Sequence, residues 1–303
     1  MAQPALDPFH ALDHALAAAV AVVGPSVVQV ARGHGRGGTG IVWAADLVIS
    51  SSFHTPDTTT IGVASGRDGG VDARDAQVIG RDPGTDVALL RVAGGGLTPT
   101  TVRELDGLAV GNFALAIGRP GRTPRASLRA IGVLGPEVRT PQGGKLDRYV
   151  ESDRQIPRGF AGGPLIDTAG ATIGMNTRTL IRGSDLAVPV ATLRRVVDEL
   201  AQHGGVRRGY LGVGVYPVAL PTKLASVAGR DRGALIASVE DDAAAARAGL
   251  IVGDILVELE GLAITGPDTL RQALGDRPDQ TVKLIFIRGG AKHEVDLAIG
   301  SKP

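Results

Sequence analysis

From Pro25 to Asn176 the apolar residues come in short β-branched runs, each closed within a few positions by glycine, proline or a polar turn. Ser26-Val-Val-Gln-Val30, Gly40-Ile-Val-Trp43, Leu47-Val-Ile-Ser50, Asp86-Val-Ala-Leu-Leu-Arg-Val92 and Phe113-Ala-Leu-Ala-Ile117 open the series, and residues 128–134, 146–151, 164–166 and 172–176 continue it. Runs this short do not build a helical bundle; at this spacing they predict a mainly β barrel or sandwich. The 44 glycines and 18 prolines are scattered rather than clustered, so they supply the many turns such a fold needs. With aromatics at 3% and hydrophobics at 43%, the cores must be aliphatic.

Helices flank this region. Residues 4–23 read as an amphipathic helix with Phe9, Leu12 and Leu16 spaced for one face. His10 and His14 on it have metal-ligand spacing, but no further His, Cys or carboxylate pattern joins them. They read as a solvated polar face, and no metal or cofactor is expected. A second helix over 189–202 places Leu193, Val196, Val197 and Leu200 on one side and stops at His203-Gly204-Gly205. Beyond it the pattern predicts a smaller α+β unit, with strands at 210–215, 234–239, 255–259, 282–287 and 294–299 and helices at 243–248 and 267–274. The expected division is a helical segment over 1–24, a barrel domain over 25–202, a linker over 203–207 and a second domain over 208–303.

Charge and composition narrow the partners. Lys and Arg total 32 against 31 for Asp and Glu, without long runs of one sign, so nucleic acid is not an expected partner. The absence of cysteine excludes disulfides and thiolate metal sites. The uncharged stretch 15–30 is interrupted by Gly24-Pro25-Ser26 and is too short to span a bilayer. Asp7 and Asp13 stand where a secretory signal would be basic. The compartment stays open: cytoplasm, or a bacterial periplasm or envelope if an upstream signal has been removed.

The segment Gly159-Phe-Ala-Gly-Gly-Pro-Leu165 resembles the G-N-S-G-G-P-L nucleophile loop of HtrA-type serine proteases, and Ile166-Asp167 extends the likeness. Residues 80–90, Gly-Arg-Asp-Pro-Gly-Thr-Asp-Val-Ala-Leu-Leu, are similar to the segment carrying the triad aspartate, which falls on Asp86. Residues 110–118 resemble a following strand, while Met175-Asn-Thr177 and Leu186-Ala-Val-Pro189 correspond to the walls of the primary specificity pocket. The resemblance covers nearly all of residues 20–202. It implies a trypsin-like pair of six-stranded β-barrels, with the N–H groups of Gly159 and Ala161 as an oxyanion hole and a pocket suited to a small or medium aliphatic side chain.

The departures from this pattern fall on the chemistry. A serine protease needs a hydroxyl to attack and a histidine to take its proton. Ala161 stands at the nucleophile place and has no hydroxyl. Where the family has I/L-T-N-N-H-V, this chain reads Leu47-Val-Ile-Ser-Ser-Ser-Phe-His54. Without a gap, Phe53 takes the place of the base and His54 falls one residue late; a β-bulge would bring His54 in instead. Phe53 is the favoured equivalent, which would remove two triad members. Asp86 also has a plain reading, as a polar residue opening a buried strand.

In the second domain, Arg208-Gly-Tyr-Leu-Gly-Val213 resembles the carboxylate-binding loop of bacterial PDZ domains, and Ala-Gly-Leu250 with Gly-Asp-Ile255 is similar to the A-G-L-x-x-G-D-x-I signature. The resemblance implies that Tyr210, Leu211, Gly212 and Val213 bind a peptide's terminal carboxylate, with Leu270, Ala273 and Leu274 on the opposite wall. Gly249, Leu250 and Asp254 fix a turn. Three functions are therefore in contention. One is a proteolytically inactive protein that binds peptides or unfolded chains, as adaptor, chaperone or sensor in protein quality control. Another is an active endopeptidase inactivated by Ser-to-Ala exchange at 161, using His54 and Asp86. The last is an oligomerising scaffold. HtrA relatives commonly form trimers, so a homo-oligomer is expected, with Phe9, Leu12 and Trp43 as candidates for its interface.

Overall fold

The computed structural model describes residues 7–31, 37–57, 59–65, 70–181, 183–275 and 277–302. The chain divides into two compact units, one of residues 1–140 and 144–206, the other of 141–143 and 207–303.

The first unit holds two closed antiparallel barrels. In the first, strands Val27–Ala31, Gly38–Ala44, Leu47–Ser51, Val87–Val92, Gly70–Asp82 and Thr59–Ser65 pair in that order, and the last closes on the first. In the second, the order is Tyr149–Ser152, Ser184–Pro189, Thr172–Ile181, Pro164–Ile166, Phe113–Gly118 and Arg125–Gly135, closing again. Strand alternation sends Val28, Val30, Val42, Val48, Ile61, Ala88 and Leu90 into the first interior, and Ala114, Ala116, Ile131, Val150, Leu165 and Ile173 into the second. Both are aliphatic, as so low an aromatic content requires.

Helix Val190–His203 covers a third cluster, in which Leu193, Val196, Val197 and Leu200 meet Ile41, Ile49, Leu89, Met175 and Val188 from strands of both barrels. It stops at Gly204, whose φ of +72° suits glycine. The N-terminal helix is Pro8–Val23, capped by the Asp7 carboxylate; residues 4–6 of the expected helix lie outside the described residues. Its packed stripe runs through Leu16, Ala19, Val20 and Val23 onto Val27, Leu115, Ile117 and Ile166. Leu16 and half-buried Leu12 lie on the predicted face as expected, but Phe9 lies beyond the end of that stripe and is 78% exposed, so it does not share in the burial.

The second unit is an antiparallel sheet ordered Val213–Ala219, Arg232–Val239, Ile255–Leu259, Thr281–Arg288 and Ala291–Ala298. Arg208–Tyr210 pairs with Gly300–Lys302, and helices Thr222–Ala228, Ala244–Arg247 and Pro267–Leu274 pack around the sheet. Asp254 anchors its turns. Its carboxylate accepts the Ile251 N–H at 2.9 Å and both arms of the Arg288 guanidinium at 2.7 Å. Burial pushes the Asp254 pKa up, but Arg288 and the Ile251 N–H outweigh it and hold the carboxyl below its ordinary value.

Candidate functional site

The loop resembling a nucleophile loop is held from below. Gly159 and Gly162 have φ of +85° and +83°, which side-chain-bearing residues rarely adopt. A Cβ on Gly162 would lie 2.3 Å from the Thr39 carbonyl oxygen, so the backbones approach too closely for any other residue. Asn176 fastens the loop, donating from Nδ2 to the carbonyls of Gly163 and Pro164 and accepting at its own carbonyl from Gly162 N–H. Phe160 is 3% exposed and sits where a Cβ on Gly118 would be, 2.6 Å from its ring. Arg129 steadies the approach to the loop, donating to the carbonyls of Arg154 and Gln155 at 2.7 and 2.9 Å. Burial pushes its own pKa down.

The polar groups of this loop divide by direction. The Gly159 and Ala161 carbonyls are taken by Thr39, through its Oγ1 at 2.6 Å and its N–H at 3.4 Å. The N–H groups of Gly159 and Ala161 have no partner among the described residues. Both residues line a cleft of about 710 Å³ with Gly38, Phe53, His54, Arg158 and Arg178.

Asp86 is 2% exposed and adopts a φ of +58°, a conformation that asparagine and aspartate tolerate better than most residues. The turn before it is set by Asp82, whose carboxylate holds the Gly84 N–H at 3.0 Å and the Thr85 hydroxyl at 2.6 Å. The Asp86 carboxylate receives the Thr177 hydroxyl at 2.6 Å, the Phe53 N–H at 2.9 Å and the Ser51 hydroxyl at 2.9 Å from each oxygen.

Phe53 and His54, the two candidates for the base, lie side by side after the strand Leu47–Ser51. The backbone N–H of Phe53 reaches Asp86, but its ring is 76% exposed, edge-on to His54 with centroids 5.1 Å apart. His54 Nδ1 lies 3.0 Å from Ser51 Oγ, and no hydrogen bond joins His54 directly to Asp86 among the described residues. An ionised carboxylate only accepts, so the single Ser51 proton goes to Asp86. Ser51 Oγ then accepts from His54 Nδ1–H, the tautomer that in a neutral imidazole carries the lone pair on Nε2. Asp86, Ser51 and His54 thus form a relay with a serine where the direct bond of a triad would be. Ser51 is fully buried (0% exposed), so its own hydroxyl meets no substrate carbonyl. The spacing of Ser50, Ser51 and Ser52 gave no sign of this role; the relay is visible only once Asp86 is brought over the strand end.

The second unit gathers the other predicted residues. Tyr210, Leu211, Gly212 and Val213 line a groove with Leu270 and Leu274 opposite. Leu211 and Gly212 N–H have no partner among the described residues, while their carbonyls accept from Ala245 and Glu240 N–H at 2.9 and 2.8 Å. Gly212, at φ +75°, is required twice over, since a Cβ there would lie 2.1 Å from that of Ala243. The Tyr210 hydroxyl is hydrogen-bonded to Glu240. Among the described residues, no group of three or more His, Cys, Asp or Glu is placed to hold a metal, and no helix is long and apolar enough to cross a membrane.

Comparisons with known proteins agree with this layout. The trypsin-like peptidase domain matches residues 38–175, and the PDZ domain matches residues 209–299. A probable periplasmic serine endoprotease DegP-like from Halomonas elongata is 31% identical over 88% of this chain and 56% of its own length. One of the same description from Pseudomonas putida is 33% identical over 75% of this chain and 49% of its own. The chain therefore spans about half the length of the curated relatives it matches. Among solved structures, the HtrA-type protease AlgW with a decapeptide superposes with a TM-score of 0.67 at 25% identity, covering 95% of this chain and 99% of the other. AlgW with a tripeptide gives 0.64 at 28%, covering 95% and 97%.

Proposed function

Because this chain belongs to the HtrA-type family of serine proteases with a C-terminal PDZ domain, we propose that it is a proteolytically inactive member that binds peptides or unfolded polypeptides. The carrying observation is Ala161: the position at the mouth of the Gly159–Ala161 N–H pair bears a methyl group, and the nearby Ser51 hydroxyl is buried. No acyl-enzyme can form at residue 161. The partner-binding surfaces are the cleft and the PDZ groove, where the free N–H groups of Leu211 and Gly212 would take a terminal carboxylate and the Val213–Ala219 edge would pair with the peptide as a further strand. The description of the relatives as periplasmic favours a periplasmic setting, and the role we assign there is in protein quality control. The exposed Phe9 is the residue we assign to a homo-oligomeric contact of the trimeric kind that the family resemblance implies.

A second reading has one observation in its favour. His54, chained to Asp86 through Ser51, keeps Nε2 free as a base, so a serine at 161 would give an active endopeptidase. The test is Ala161→Ser assayed on casein. We expect no cleavage above that of the alanine chain, because a hydroxyl separates the imidazole from the carboxylate that would stabilise its charge. Serine-dependent proteolysis would replace our reading with the second. For the groove, a hydrophobic C-terminal peptide should lose most of its affinity on amidation; unchanged binding would remove the carboxylate assignment.

A further inference from the structure

We infer that the cleft of the first unit is a receptor for a peptide carboxylate. This rests on the reading of the cleft as a binding rather than a cutting site, and it names the chemistry of what is bound. The groups lining the cleft are unbalanced. Arg158 is exposed and has no partner among the described residues, and the Gly159 and Ala161 N–H groups beside it are also unpaired. The carbonyls of the same two residues are turned away and occupied by Thr39. Arg178 lines the cleft too. Its nearest carboxylate, Asp185, is 3.6 Å away and already accepts the Ile156 N–H at 2.5 Å.

No Asp or Glu lines the cleft among the described residues. Hence it presents guanidinium and amide donors with the His54 ring, and its matching ligand is an anion of planar geometry that accepts several hydrogen bonds at once. A carboxylate meets that description. Ala161 favours the same ligand. Its methyl group brings no nucleophile to the carbon of a bound carboxylate and no oxygen that competes for the paired N–H groups. One carboxylate oxygen would lie on the Gly159 and Ala161 N–H groups, and the other toward Arg158.

The carboxylate has two possible sources, an acidic side chain within a peptide or a peptide's C-terminus. The experiment uses the full chain and one N-acetylated sequence in three forms: neutral and amidated, the same with Glu in place of a central Gln and amidated, and neutral with a free C-terminus. Affinity is read by fluorescence anisotropy, and occupancy of the cleft by the amide NMR shifts of Gly159 and Ala161, which the PDZ groove does not contain. We expect a carboxylate to tighten cleft binding about tenfold, an advantage that falls with added salt and disappears in Arg158→Gln. Arg158→Glu, at the same exposed position, should reverse the preference toward a basic peptide. A gain confined to the Glu form assigns the ligand to an acidic segment; one confined to the free terminus assigns it to a chain end. Equal cleft binding by all three forms overturns the carboxylate inference and leaves peptide binding standing. If no form moves the two amides, the reading of the cleft as a binding site falls with it.

Discussion

The cleft takes its groups from stretches scattered between Val30 and Arg178, each on a different strand or turn, whereas the groove draws mainly on Arg208–Val215 and helix Pro267–Leu274, with Gln142 and Gly143 added from an earlier stretch. They also differ in what else their residues do. Phe53 and Arg158 are exposed, and Ala161, though only 4% exposed, belongs to no hydrophobic cluster, so these three cleft positions are not core packing residues. In the groove, Leu211, Leu270 and Leu274 are 1%, 5% and 6% exposed and belong to the domain's hydrophobic cluster. Positions that lie outside the hydrophobic clusters can change residue by residue while the barrels stay folded. A site made of core residues cannot be altered without loosening the domain. That difference gives a physical reason why a cleft position such as Ala161 can depart from the family pattern while the groove keeps its own.

The comparison predicts unequal costs. The largest should come from Leu211→Ala, which removes a fully packed side chain and should destabilise the second unit by about 2–5 kcal/mol while weakening C-terminal peptide binding. Urea unfolding and peptide titration on one sample would check both; lost stability with intact affinity would break the link between groove and core. An intermediate effect should come from acid. The folded Asp254 carboxyl is held below its ordinary value, so the unfolded chain binds the proton more readily. Its contribution is complete above about pH 4 and is lost as pH falls through the lower, folded value. The urea midpoint of the second unit should therefore drop on acidification below pH 4, and Asp254→Asn should flatten that part of the profile. The smallest effect should be Phe53→Ala: with the ring exposed, thermal unfolding should move by no more than about 0.5 kcal/mol. A larger loss would mean that the cleft, too, is bound to a core.

Much of this architecture was legible in the sequence. The β-branched runs mark most barrel strands, and Gly204 marks the end of the helix before the second unit. Strands Thr59–Ser65 and Gly70–Asp82 escape the same reading, because Thr59, Thr60, Asp72, Arg74 and Asp75 break the apolar pattern. Their place is fixed by pairing with each other and with Val27–Ala31 and Val87–Val92, long-range contacts that composition does not encode. The site divides likewise. Ala161, Gly159 and Asp86 stand out because their motifs are contiguous. Ser51's bond to Asp86 joins groups 35 residues apart, and Arg178 reaches the cleft only after the barrels close. Neither leaves a local signature. The choice between Phe53 and His54 turned on the direction of a single turn after Ser51, where backbone geometry rather than residue type decides: one contributes its N–H to Asp86, the other its ring to the relay.

The methyl group of Ala161 has a consequence for how such a molecule would count its ligands. A catalyst processes many chains per copy, and its effect grows with time. On the proposed reading, a cleft with no attacking atom would release whatever it holds unchanged, and each copy would engage one segment until that segment dissociates. Its influence would then scale with the number of molecules present and the lifetime of each complex, and raising its concentration would be the direct way to strengthen it.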